Sequence, residues 1–212
     1  MKKYYTFIFI SLYLLSATLL FSQCAKNSNI YTFYYNGKKY EIIKEKKNWA
    51  DASACAVERG GYLAEINDKN EQAIIFKSII KGAHISRTYT RVNDGGGTAY
   101  VWIGATDKTT EGKWMWDGKN NGYGINFWNG QGAAGSGGGS AVSGKYVNWG
   151  GSSKGSPNEP DNYGSNQNAA AMALDGWPIG TNLLGSAGEW NDININDSIY
   201  YVIEYDKPKE MK

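Results

Sequence analysis

Two short clusters about thirty residues apart, Glu159-Pro160-Asp161-Asn162 and Glu189-Trp190-Asn191-Asp192, hold the side chains of this chain best suited to chemistry. The first sets a carboxylate on either side of a proline within a Gly/Ser/Asn-rich stretch, so a stiffened turn presents side-chain oxygens. The second places an amide, Asn191, directly before a carboxylate, Asp192, beside a large apolar anchor, Trp190. Such oxygens suit a hard cation: Ca²⁺ takes about six to eight of them. Neither cluster offers that many alone, so the two read as halves of one calcium site. Taken separately, each also reads as a polar turn with a core tryptophan nearby, because Asn, Asp, Gly and Pro favour turns for backbone reasons.

Other chemistries have less to work with. His84 is the only imidazole; it follows a glycine after a helical pattern, and no cysteine or serine motif accompanies it. Neither nucleophilic catalysis nor a zinc site is expected. Paired carboxylates can serve glycoside hydrolysis, but no nucleophile motif appears and the acids are better used as hard-metal ligands. The chain is therefore read as non-enzymatic.

At 212 residues the chain is long enough for one ordinary domain and an appendage. Lys2 and Lys3 precede an apolar run from Tyr4 to Phe21, followed by Ser22-Gln23-Cys24. Residues 1–23 thus read as an export signal of bacterial type, with an uncleaved N-terminal anchor as the alternative. Small and apolar residues leading into a cysteine resemble the lipobox of bacterial lipoproteins, although Phe21 and Gln23 depart from it. Cys24 is accordingly the candidate lipidation site. The expected location is the outer membrane or cell surface, otherwise secreted or periplasmic, with membrane contact only through the lipid or anchor. Lys2 and Lys3 are the only charges before Cys24, so a chain starting there carries 20 basic and 20 acidic residues and is formally neutral. That balance lacks the basic footprint of a nucleic-acid binder. The short run Lys44-Glu45-Lys46-Lys47 reads as a solvated edge.

The elements that must position the two clusters follow from pattern. Residues 24–29 read as a polar tether, 30–206 as the folded domain and 207–212 as a tail. Alternation at Tyr31, Phe33 and Tyr35, the turn Asn36-Gly37 and a second alternating stretch to Ile43 predict a hairpin. Asn48 as N-cap, Trp49, Ala52 and Ala56 at helical spacing, and Gly60-Gly61 predict a helix. A second helix is expected from about Asn70 to Lys81, with Ile75/Ile79 and Phe76/Ile80 as i,i+4 pairs and Gly82 as its stop. Beyond Gly82 come short strands at Tyr100–Ala105, Lys113–Trp116 and Ile199–Tyr205. Glycine-rich segments at 94–97 and 130–144 read as ordered loops, since Phe127, Trp128, Tyr146 and Trp149 punctuate them and aromatics seek burial. Early helices and late strands imply an α+β domain.

In this order the motifs strongly resemble the C-type lectin-like domain, over about residues 30–206. Gly60-Gly61-Tyr62-Leu63-Ala64 resembles the segment after that family's first helix. Trp102-Ile103-Gly104 matches its core strand, and Glu111-Gly112-Lys113-Trp114-Met115-Trp116 the element that follows. Asn148-Trp149 leads into Glu159-Pro160-Asp161, and Trp190-Asn191-Asp192 completes the set. The resemblance implies two helices with small antiparallel sheets, long glycine-rich loops and a cis bond before Pro160. It also implies that Glu159, Asp161, Asn191, Asp192 and Gln167 bind Ca²⁺ and, through it, the hydroxyls of a glycan or glycoprotein. Gln167 stands where the family carries a glutamate, which leaves Glu189 and Asp175 as carboxylates that could stand in. The tripeptide Glu-Pro-Asp is neither the Glu-Pro-Asn linked to mannose-type sugars nor the Gln-Pro-Asp linked to galactose-type ones.

The family's two disulfides are implied absent, because Ile203, Ala169 and Ile195 occupy their positions. Cys55 is then expected as a small buried hydrophobe, or bridged to Cys24 where that residue is not acylated. The leading expectation is a calcium-dependent carbohydrate-binding surface or secreted protein. The alternative is an adhesion module that binds a host or cell-surface protein through its long loops, with calcium structural or absent.

Overall fold

The computed structural model describes residues 23–207; most of the expected export signal and residues 208–212 lie outside the described residues. The opening alternation forms a hairpin, in which β1 (Ile30–Tyr35) pairs antiparallel with β2 (Lys38–Lys47) and Tyr35 faces Lys38. Asn36 and Gly37, at φ +48° and +75°, supply the left-handed backbone that a two-residue turn requires. Helix α1 (Trp49–Glu58) begins where the Asn48 side chain accepts from Asp51 N, and it buries Trp49, Ala52, Ser53, Cys55 and Ala56. Gly60, at φ +85°, and the bond from Gly61 N to Ala56 O close it.

Helix α2 (Lys69–Lys77) starts slightly earlier than expected. Asp68 is its cap, and its side chain accepts from Asn70 N and Glu71 N. The last turn, Ser78–Gly82, widens into a π-helix, so the stop at Gly82 holds but the coil before it does not stay α. Ile75 and Ile79 are buried as their spacing requires.

The remaining strands are β3 (Tyr62–Leu63), β4 (Tyr100–Thr106), β5 (Lys113–Trp116), β6 (Ile125–Asn129), β7 (Ser140–Ala141), β8 (Gln167–Ala173), β9 (Trp190–Asn194) and β10 (Ile199–Glu204). The small antiparallel sheets are linked by one parallel pair, β4 with β10, into a ten-stranded arrangement. A parallel pair needs a long connection, and the stretch between these strands supplies it. Strands β8 and β9, which pair antiparallel, have no clear signature in the sequence. In β8 only Asn168 escapes full burial, so small residues replace alternation.

Two buried layers hold the sheet. One gathers Trp114, Trp116, Phe127, Trp128, Trp149 and Trp190, with Trp149 and Trp190 edge to face at 5.9 Å between ring centroids. The other gathers Trp49, Tyr100, Trp102, Trp177 and Tyr201. The glycine-rich segment 130–144 runs between aromatics that are packed in the first of these layers, Phe127 and Trp128 before it and Tyr146 and Trp149 after it.

The segment 24–29 corrects the expectation of a free tether ending in an acylated cysteine. Cys24 is bridged to Cys55 of α1, with Cα atoms 5.5 Å apart. Ala25 is buried, and Lys26 N donates to Glu45 Oε1 at 2.7 Å. Acylation of Cys24 would need the sulfur that this bridge uses, so the structure assigns that residue to a staple instead of a lipid. Ile203, at the position of the family's usual partner, packs in the same buried layer as Cys55. Without reductant the protein should show no free thiol, and reduction should cost about 3–4 kcal/mol, on the loop-entropy scaling for a separation of 31 residues. A thioether-linked lipid on Cys24, or a titratable Cys55 thiol, would contradict this.

An ion cluster ties β2 to α1. Glu41 accepts from Arg59 Nε at 2.7 Å and Tyr205 Oη at 2.6 Å, with Lys39 Nζ 2.7 Å from its other oxygen. Burial alone would raise this carboxyl, yet the bonds from Arg59, Lys39 and Tyr205 outweigh it and hold the value at about 2, below the usual 4.5. A depressed carboxylate stabilises the fold above its unfolded value and loses that contribution as pH falls toward its folded value. The Glu41→Gln variant should therefore melt lower at pH 7 and show a shallower loss of stability between about pH 4.5 and 2 than the wild type. An acid limb identical in the two proteins would rule out this role.

Candidate functional site

Asp192 is fully buried on β9, and it fastens the proline turn to the sheet. Its Oδ1 accepts from Asp161 N at 3.1 Å and its Oδ2 from Asn162 N at 2.8 Å. Gly150 O accepts from Asn158 N and Glu159 N, while Gly150 N donates to Trp190 O. The two clusters are therefore joined at both ends by backbone. The Glu159–Pro160 peptide is cis, as the resemblance implied. One carboxylate oxygen from each of Glu159, Asp161 and Asp192 lies within 4.8 Å of the others.

Neighbouring aromatics orient the ligand atoms. Trp177 Nε1 donates to Glu159 Oε1 at 2.9 Å, which leaves Glu159 Oε2 buried with no donor. Tyr100 Oη donates to Gly95 O at 2.6 Å, so toward Asn191 it can only accept, and the Asn191 Nδ2 amide donates to it at 3.0 Å. Asn191 Oδ1 is consequently the free end of that side chain, buried and without a partner. Both residues line a cleft of about 240 Å³ together with Asp94, Asp161, Tyr163, Trp177, Pro178 and Leu184.

Electrostatics sharpen the picture. Burial, then the charge of Asp161, pushes the Glu159 carboxyl up to about 8, and burial also raises Asp161. Asp192 is driven well above the usual carboxylate range by burial, then by the charge of Glu159. Three mutually repelling acids and two orphaned buried oxygens form a donor set made of oxygen alone, with no thiol or imidazole. That set fits a hard dication, which would relieve the repulsion and satisfy Glu159 Oε2 and Asn191 Oδ1 together.

Gln167 departs from the expected set. It is buried, its Oε1 accepts from Tyr163 N at 2.6 Å, and its Nε2 donates to Asp94 O at 3.0 Å. With these two bonds it braces the turn that carries Asp161. The two carboxylates that could have replaced it are also occupied elsewhere. Glu189 accepts from the backbone of Gly151, Ser153 and Ser186, and the exposed Asp175 lies 3.5 Å from Arg87.

Three contributors had no signal as site residues in the sequence. Asp94 opens the glycine-rich segment read as an ordered loop, Tyr100 reads as a core strand residue, and Trp177 lies outside every element expected from the sequence. Asp94 Oδ2 accepts from Asn194 N at 2.7 Å, beside Asp197, whose carboxyl is pushed up to about 7 by burial and then by Asp94.

The Lectin C-type domain profile matches residues 45–204. The chain is 33% identical over 98 residues to C-type lectin domain family 4 member F of Mus musculus, which covers 45% of this chain and 15% of that protein. It is 24% identical over 177 residues to hepatic lectin of Gallus gallus, covering 83% of this chain and 58% of that one. The chain thus spans less than two thirds of the length of either relative. Among solved structures, the mouse scavenger receptor C-type lectin carbohydrate-recognition domain superposes with a TM-score of 0.52 at 20% identity, over 85% of this chain and 98% of that one. The matched span holds both helices, strands β3 to β10 and both halves of the oxygen cluster, and the chain belongs to the C-type lectin domain family.

Proposed function

We propose that the protein is a calcium-dependent glycan-binding protein whose ion is held by Glu159, Asp161, Asp192 and Asn191. The observation that carries this reading is the pair of buried oxygens without donors, Glu159 Oε2 and Asn191 Oδ1, on two residues that line one cleft with Asp161. A buried acceptor left unmatched costs about 1–3 kcal/mol, so two in one cleft point to a ligand that supplies positive charge. When bound, Ca²⁺ offers open coordination positions to sugar hydroxyls. Names of the matched proteins, hepatic lectin and a carbohydrate-recognition domain, agree with a sugar ligand.

The residues set the hydrogen-bond code of the site. Gln167 gives one amide N–H to Asp94 O and Asn191 gives one to Tyr100 Oη, so at most one N–H of each amide is left for a sugar. Sugar hydroxyls in the cleft would donate to Glu159 and Asp161 while their lone pairs face the ion. Export agrees with the Cys24–Cys55 bridge, since disulfides persist in oxidising compartments. The bacterial source rests on the leader alone, as the relatives named above are mouse and chicken proteins. Among the described residues no helix is long and apolar enough to cross a membrane.

A second reading, a protein-binding adhesion module, is favoured by Tyr163, Ile179 and Leu183, which are 67%, 50% and 69% exposed on the loops around the cleft. Capture of a surface protein that persists in chelator would select it. Under the leading reading, a glycan array binds with calcium and goes blank with chelator; sugar binding that ignores the chelator would refute the mechanism.

Calcium should raise the melting temperature of the wild type, and both Asp161→Ala and Asp192→Ala should abolish the shift. The two variants should differ without calcium. Asp192→Ala also strips acceptors from Asp161 N and Asn162 N and should destabilise the calcium-free fold by about 1–3 kcal/mol, whereas Asp161→Ala should cost less, because Tyr163 N, which donates to Asp161 Oδ1, keeps Gln167 Oε1 as an acceptor. No calcium shift in the wild type would defeat the metal assignment.

A further inference from the structure

The charged residues lining the cleft are Asp94, Glu159 and Asp161, and no Lys, Arg or His lines it among the described residues. Asp94 is the one carboxylate there that stands outside the cluster able to hold an ion. It is also held in place from several directions. Its turn closes through Gly97 N to Val92 O at 2.8 Å and Val92 N to Thr98 O at 3.0 Å. Its carbonyl accepts from Gln167 Nε2 and its Oδ2 from Asn194 N. One residue on, Gly95 meets Tyr100, and Gly96 O accepts from Ile179 N, which ties the turn to the Trp177–Pro178 wall. The side chain itself is held by Asn194 N and by the neighbouring Asp197 carboxyl, so its charge has a position already determined before a ligand arrives.

The charge balance then gives a sign. A dication on Glu159, Asp161 and Asp192 leaves one negative charge uncompensated, and Asp94 adds another. Carboxylates only accept hydrogen bonds, an ammonium only donates them, and sulfate or a sugar carboxylate only accepts. We propose that Asp94 is a specificity-determining residue of this cleft, which selects sugars carrying a free amino group and rejects sulfated or carboxylated ones. The inference rests on the calcium-dependent glycan reading of the same site, and it names the substrate class that reading leaves open.

The test compares, by calorimetry in calcium at low ionic strength, galactose, galactosamine and galactose 6-sulfate, with the corresponding glucose and mannose series. The amino sugar should bind about tenfold tighter than its neutral parent and the sulfated sugar at least about tenfold weaker, with the spread narrowing as salt screens the charges. In Asp94→Asn, whose amide oxygen can still accept from Asn194 N, the ratio of amine to sulfate affinity should fall by about tenfold or more. Because the ratio is taken within one protein, a general loss of affinity cannot mimic this result, and melting temperature verifies that the variant is folded. An unchanged ratio in Asp94→Asn, or sulfated sugar binding as tightly as the amine, overturns the inference while leaving calcium-dependent sugar binding intact. If no sugar binds although calcium still raises the melting temperature, the glycan reading falls and this inference falls with it.

Discussion

Three carboxylates lie side by side in this protein with no basic side chain among them, and much of the surrounding structure exists to hold them there. Asp192 is the least solvated of the three. A buried charge must be paired or hydrogen-bonded to be tolerated, and Asp192 spends both oxygens on the backbone of Asp161 and Asn162. Those bonds fix the turn and thereby bring the other two acids close to Asp192. The residual repulsion is what a dication would remove. The fold thus stores an electrostatic mismatch at one point and surrounds it with rigid packing.

That packing comes from aromatic residues with dual duties. Trp190 fills the core against Trp149 and, through Nε1, bonds Gln72 on α2. Trp177 fills the second buried layer and bonds Glu159 through Nε1. Tyr100 lies on the central strand β4 and decides which end of Asn191 is free. In each case an apolar body pays no penalty for burial while a polar tip orients a ligand atom or its support. Glu189 adds an anionic clamp between the loops at 151–153 and 186, which secures the backbone on which the turn rests.

Much of the fold was legible because local rules and burial agreed. The Asn36-Gly37 hairpin and the Asn48 cap follow directly from short-range patterns, and the two oxygen-rich clusters stood out by residue type, with three of their carboxylates brought together in the structure. What escaped reading depends on distant partners. Strand β8 is a run of small residues whose strand character comes from being covered on both faces. Gln167 has the right position and a plausible chemistry for a ligand, but bonds to Tyr163 and Asp94 redirect it. Cys24 looked like a lipid anchor because its context is local, whereas its actual partner lies 31 residues away on α1. Asp94 sits in a glycine-rich loop whose path across the cleft is set by contacts with Trp177 and Asn194.

The central claim is that Glu159, Asp161, Asp192 and Asn191 hold a calcium ion, with Trp177 in direct contact with Glu159. Terbium shares the oxygen preference of calcium and emits when a nearby tryptophan is excited, so titration of the full chain with Tb³⁺ reads the site directly. The account predicts sensitised emission that calcium displaces and that Glu159→Gln together with Asp161→Asn removes. Emission that calcium fails to displace, or that survives the double substitution, would contradict it.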